Sequence, residues 1–211
     1  MAKKERKLSQ KELERKARFD AVCEEMAQKG YRKQDLTVGV AAANVGALVV
    51  MLPFLVLAAW AYYRVNSGVI SAFSPFVLPA ACLLFLLLIV VHEAVHGITW
   101  GIFARNHFRS IDFGVIWQAL TPYCTCADPL KKGQYVLGSV MPTLLLGFVP
   151  AAVSVAMGSP LLFAVSELMI LGGGGDFLIL WKILLHRTGG ADAVYYDHPY
   201  ECGVVVFEKD R

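Results

Sequence analysis

Two histidines and a glutamate stand together as His92-Glu93-Ala94-Val95-His96, with Gly97 next, at the end of an uncharged apolar run from Phe76 to Val91. Residues four apart on a helix lie one above the other on the same face. That spacing lets both imidazoles reach one zinc ion, while the glutamate between them can take a proton from the metal's water. Ionisable groups within a lipid-spanning helix are expensive and are functional by default. The bland alternative is a helix end where the three side chains only meet interfacial water.

Two histidines leave a catalytic zinc site incomplete, since such sites use three protein ligands plus a water. The candidate third ligand is Asp176, which follows Gly172-Gly173-Gly174-Gly175 inside a later apolar stretch. His92 comes sixteen residues after Phe76 and Asp176 sixteen after Pro160, so each lies roughly 24 Å from its helix start if both segments are helical. If both helices descend from the same face, the groups meet at one depth. The glycines read in two ways: small residues let membrane helices approach closely, and they can unwind a helix where its backbone faces protein or water. Glu167 is nine residues before Asp176, roughly 13 Å along the same helix, and reads as a packing residue. His107, His186 and His198 fall outside the apolar stretches and read as surface or turn residues.

The elements that must position these groups are membrane spans. Of 211 residues, 56% are hydrophobic and 18% charged, and the apolar residues come in long runs. The expected fold class is an all-α polytopic membrane protein with four transmembrane helices, at Val38 to Tyr63, Phe76 to Ala104, Val136 to Met157 and Pro160 to Leu185. The third is interrupted by Gly138, Pro142, Gly147 and Pro150. Residues 1–37 read as a basic helical tail. Ser9 and Glu12 suggest a capping box, and Leu13, Ala17, Val22 and Met26 form an apolar stripe ending at Gly30. That tail is either a solvated helix or one lying on anionic lipid. Residues 38–185 form the membrane domain and 186–211 a C-terminal segment.

Eleven of the twenty Lys and Arg lie in residues 1–37. Four more fall in the 105–135 loop and four from Lys182 onward, against one in residues 64–75 and none in 158–160. The positive-inside rule then puts both termini in the cytoplasm, and the lopsided charge speaks for topology rather than a nucleic-acid partner. The chain does not begin like a signal peptide. Cys23, Cys82, Cys124, Cys126 and Cys202 are expected to be free thiols, and the Cys124-Thr125-Cys126 spacing is unusual for structural zinc.

Between the second and third spans, residues 108–118 alternate like a strand, with Ile111, Phe113, Val115 and Trp117 on one face. A small cytoplasmic β element is expected there. It either holds an extended substrate by edge pairing or merely packs on the bundle. A short C-terminal β segment, Gly203 to Phe207, follows the turn-like Asp197-His198-Pro199.

HEAVHG, YCTCADPL (Tyr123 to Leu130), GGGGD (Gly172 to Asp176) and DHPYECG (Asp197 to Gly203) together resemble a bacterial family described as putative zincin peptidases, over about Tyr31 to Glu208. More distantly, the arrangement is similar to site-2-protease-type intramembrane zinc metalloproteases. The resemblance implies His92 and His96 as zinc ligands, Glu93 as catalytic base and Asp176 as third ligand. It also implies a Zn²⁺ cofactor, a bacterial cytoplasmic membrane location, and membrane-embedded or membrane-adjacent polypeptides as substrates. The aspartate motif departs from the leucine-aspartate-glycine usual in the protease class. Two other functions fit the residues: a membrane protein that binds or carries a divalent metal, and a protease-like scaffold that binds membrane proteins without cutting them.

Overall fold

The computed structural model describes residues 10–67, 74–116, 121–188, 192–199 and 201–209. Helix α1 (Gln10–Gln28) leads into strand β1 (Arg32–Val38) and the apolar helix α2 (Val40–Val65). Helix α3 (Val77–Phe103) carries the HEAVHG motif and is followed by a tight turn, His107–Ser110, and the hairpin of β2 (Ile111–Ile116) and β3 (Thr121–Cys126). After the two-residue strand β4 (Leu130–Lys131), helix α4 (Lys132–Thr143) runs through a π-helical turn, Leu144–Phe148, into α5 (Val149–Met157). Helices α6 (Pro160–Gly172) and α7 (Gly174–Leu185) precede the strands β5 (Asp192–Asp197) and β6 (Cys202–Lys209).

Among the described residues, three helices are long and apolar enough to cross a membrane: Ala41–Val65, Val77–Phe103 and Lys132–Met157. The α6–α7 pair, bent by 45°, makes a fourth if taken as one span. Leu83, Leu86, Leu87 and Val90 on α3 remain more than 60% exposed, an arrangement that lipid tolerates and water does not. The protein is a membrane protein. Its third span starts four residues earlier than expected, at Lys132, and its last expected span is broken rather than continuous.

The break has a local cause. Gly172, Gly173 and Gly174 each face a different helix: a Cβ would stand 3.2 Å from Phe85, 1.9 Å from Thr143 Oγ1 and 2.9 Å from the Ala47 Cβ, respectively. Both readings of the glycine run therefore hold, since close approach and an interrupted helix occur at the same residues. At the other end of α6, Ser159 Oγ accepts the N–H of Leu162 and Pro160 fills the first helical turn, so Gly158-Ser159-Pro160 closes one helix and opens the next.

The β element expected between the second and third spans and the expected C-terminal strand are both present, within two small antiparallel sheets. One is the β2–β3 hairpin, with Phe113 opposite Cys124. The other has four strands in the order β1-β6-β5-β4, with Arg32 opposite Glu208 and Val38 opposite Cys202. Strand β6 is buried on both faces. Val204 and Val206 pack with Trp100, Tyr135 and Ile183 at the end of the bundle. Val205 and Phe207 pack with Phe19 and Met26 of α1. Residues 32–37, expected within a helical tail, and Val38, expected to open the first span, are thus an edge strand. Of the apolar stripe of α1, Val22 and Met26 pack on the sheet together with Phe19, while Leu13 and Ala17 stay exposed. Trp117 lies outside the described residues.

Phe19 is 4% exposed in this contact. Phe19→Ala is expected to weaken α1 docking by roughly 3–5 kcal/mol. Hydrogen exchange across residues 10–28 should rise equally with and without anionic lipid. Protection that instead follows lipid composition would contradict the packing described.

Candidate metal centre

Most of the buried residues of α3 lie in its second half. His92 and His96 are 6% and 3% exposed, and Gly97, Thr99, Trp100 and Gly101 continue the buried stripe. Gly97 completes the motif for a steric reason, because a Cβ there would lie 2.5 Å from Phe113 Cζ and push the hairpin off the helix.

Three side chains meet at this level. Asp176 Oδ2 lies 3.2 Å from His92 Nε2 and 3.3 Å from His96 Nε2. One ligand atom from each of the three residues falls within 4.8 Å of the others. A tetrahedral ion with bonds of about 2.0–2.1 Å has ligand atoms about 3.3–3.4 Å apart, which the two histidine–aspartate separations match. The donor chemistry fits as well. His96 Nδ1 donates to the carbonyl of Gly138 at 2.9 Å, so in the neutral ring its Nε2 carries a lone pair. That lone pair points at a carboxylate oxygen, a contact that either a cation bound between them or a proton on Nε2 relieves. Two imidazoles and a carboxylate are a ligand set suited to zinc.

Ring stacking supports the ligands from below. His96 stacks on Trp100 with centroids 4.9 Å apart, and Trp100 stacks on Tyr135 at 5.5 Å. The indole N–H donates to the Tyr135 carbonyl at 3.2 Å. Glu93 is partly buried, and its carboxylate accepts the backbone N–H of Cys124. The hairpin edge beside the glutamate therefore belongs to β3, whereas the expected strand, 108–118, lies one strand further away. Neighbouring residues of a strand point their N–H groups to opposite edges, so Cys124 and Cys126 share the edge away from β2.

Asp197 is the functional position that sequence reasoning left unassigned. It accepts the hydroxyl of Tyr135 at 2.5 Å and the backbone N–H of Cys126 at 2.8 Å. One carboxylate thereby joins the helix that backs His96 to the strand that backs Glu93. Its partners lie 62 and 71 residues away, so no local spacing could have pointed to it. Asp128 acts similarly at shorter range, accepting Asn106 N–H at 3.1 Å and the Ser110 hydroxyl at 2.5 Å. These contacts give the YCTCADPL and DHPYECG segments structural roles where the hairpin meets the four-stranded sheet.

All five cysteines are free. Burial raises the thiol of Cys124 and pushes Cys126 up to about 12, so both stay protonated and neither behaves as a thiolate ligand. The remaining histidines stand apart from the cluster. His107 begins the turn after α3, His186 pairs with Glu208, and His198 Nδ1 accepts the N–H of Glu201. Glu167 sits on α6 with Oε1 buried and unpartnered, outside the ligand group.

A buried HExxH helix with a carboxylate supplied by a second, broken helix defines a candidate metal centre within a membrane protein. Residues 85–189, from within α3 to just past α7, match the family model DUF3267, described as "Putative zincin peptidase". The matched segment belongs to this family. The match spans both halves of the ligand cluster and implies zinc and a metallopeptidase. No curated protein and no solved structure matches the chain.

Burial pushes the Asp197 carboxyl up to about 6, above the carboxylate range, although its two donors act against the shift. The folded chain then binds this proton more tightly than the unfolded chain does. The associated stability is fully present below about pH 4 and is lost as pH rises through about 6. Asp197→Asn cannot ionise. The unfolding free energy of wild type minus variant should therefore fall by roughly 2–3 kcal/mol between pH 4 and pH 7.5. A difference that stays flat with pH would contradict the burial of this group.

Proposed function

We propose that the protein is an intramembrane zinc metallopeptidase that hydrolyses peptide bonds of membrane-embedded or membrane-adjacent polypeptides. The observation that carries this reading is the convergence of His92, His96 and Asp176 beside Glu93. Zinc held there would polarise a substrate carbonyl and lower the pKa of water toward 7. Glu93 accepts the proton of the attacking water and returns it to the leaving amine, as general base and then general acid. Cys124 N–H holds that carboxylate in place, and the Cys124 carbonyl on the same strand edge is an acceptor for an extended substrate.

The register of β1 with β6 supports a four-span topology. Strand β1 precedes the first span and β6 follows the last helix, yet seven residue pairs join them, so both lie on one side of the membrane. Three crossings would separate them. A crossing by the bent α6–α7 pair brings them together. The charge distribution supports a cytoplasmic location for that shared side and both termini. The sheet, hairpin and metal centre then face the cytoplasmic end of the bundle, where water reaches the site.

Glu93→Gln separates this reading from a metal carrier or a non-cutting scaffold. The variant should retain its zinc and lose cleavage by about 10²–10⁴-fold. Comparing the membrane proteomes of cells carrying wild type or variant reads the effect. Identical proteomes, with metal flux through wild-type vesicles, would overturn the protease reading in favour of a carrier.

A further inference from the structure

The carbonyl that accepts His96 Nδ1–H belongs to Gly138, within the first turns of α4. In an α-helix that oxygen is the acceptor for the N–H four residues on. Four residues after Gly138 comes Pro142, which is buried inside the same helix and has no N–H. A proline ring also crowds the carbonyl of the residue four before it and turns that carbonyl away from the helix axis. Gly138 adds the second requirement, closeness. A Cβ there would lie 2.0 Å from Trp100 Nε1, so only a bare backbone lets α4 come near enough to α3 for the bond to form.

We propose that Gly138 and Pro142 together form a cradle for His96. The proline strips the carbonyl of its helical donor, the glycine brings it within reach, and the bond sets the ring with its proton on Nδ1 and its Nε2 lone pair toward Asp176. Pro142 is thus a positioning residue. It touches no reacting atom and acts through the orientation of a ligand. The proposal rests on the metal reading of the site for its effect on affinity, but its statement about the ring holds in the metal-free protein. Outer partners of this kind tune metal affinity by about 10–100-fold when removed.

The test uses full-length protein in detergent, labelled with ¹⁵N-histidine and stripped of metal with a chelator. The His96 signals are assigned by their loss in His96→Gln. Wild type should show a proton on Nδ1, donated to the Gly138 carbonyl. Pro142→Ala restores the missing N–H, so it should melt no lower than wild type. Its ring proton should shift toward Nε2, and its Kd for Zn²⁺ or Co²⁺ should rise about 10–100-fold. Pro150→Ala, in the same span but opposite no histidine, should leave both readouts unchanged. A wild-type ring carrying its proton on Nε2 would overturn the proposal whether or not the variant folds. So would Pro142→Ala with wild-type tautomer and wild-type Kd. A wild type that binds neither ion, but shows the Nδ1 proton and its shift in Pro142→Ala, would reject the metal reading and keep the cradle.

Discussion

A carboxylate placed among lipid-spanning helices needs a compensating positive charge, and that requirement organises this molecule. Asp176 meets His92 and His96 with no Lys or Arg in the contact. Desolvation makes an uncompensated anion at that depth costly, so a cation held by the two imidazoles would support the fold as well as the chemistry. The broken α6–α7 pair follows from it. An unbroken helix could not bring three glycines against Phe85, Thr143 and Ala47 and still present Asp176 to α3.

The four-stranded sheet and α1 brace the site from one end of the helix bundle. Strand β6 fills the gap between α1 and the end of the bundle, and its valines contact both. From that layer a line of contacts runs inward. Asp197 holds the Tyr135 hydroxyl, the Tyr135 ring lies on Trp100, and Trp100 lies on His96. The same Asp197 holds β3, whose next outward N–H reaches Glu93. Ligand and candidate base are thus referred to one buried carboxylate, which restricts how far they can drift from each other.

The sequence carried the ligands more legibly than the scaffold. The pairing of His92 and His96 follows from helical periodicity, whereas the depth expected for Asp176 assumes an unbroken helix. The 45° bend ahead of it corrects that assumption, and the carboxylate still reaches both histidines. The spans were legible from their long apolar runs, to within a few residues. Strand β1 was hidden, since Arg32, Lys33, Gln34 and Asp35 are exposed and its pairing partner lies at the far end of the chain. Asp197 and the Gly138 carbonyl were hidden as well. The first depends on partners distant in sequence, and the second is a backbone atom whose availability depends on what a proline four residues away lacks.

The claim on which all of this depends is that one metal ion joins α3 to α7. Zinc X-ray absorption on full-length protein, purified in detergent with its metal counted, tests it most directly. The account predicts about one zinc per chain, with two imidazoles and a carboxylate at about 2.0–2.1 Å, and loss of that ion in Asp176→Ala. A folded wild-type protein that stays empty after zinc is added, or an Asp176→Ala variant with the same zinc spectrum, would contradict it.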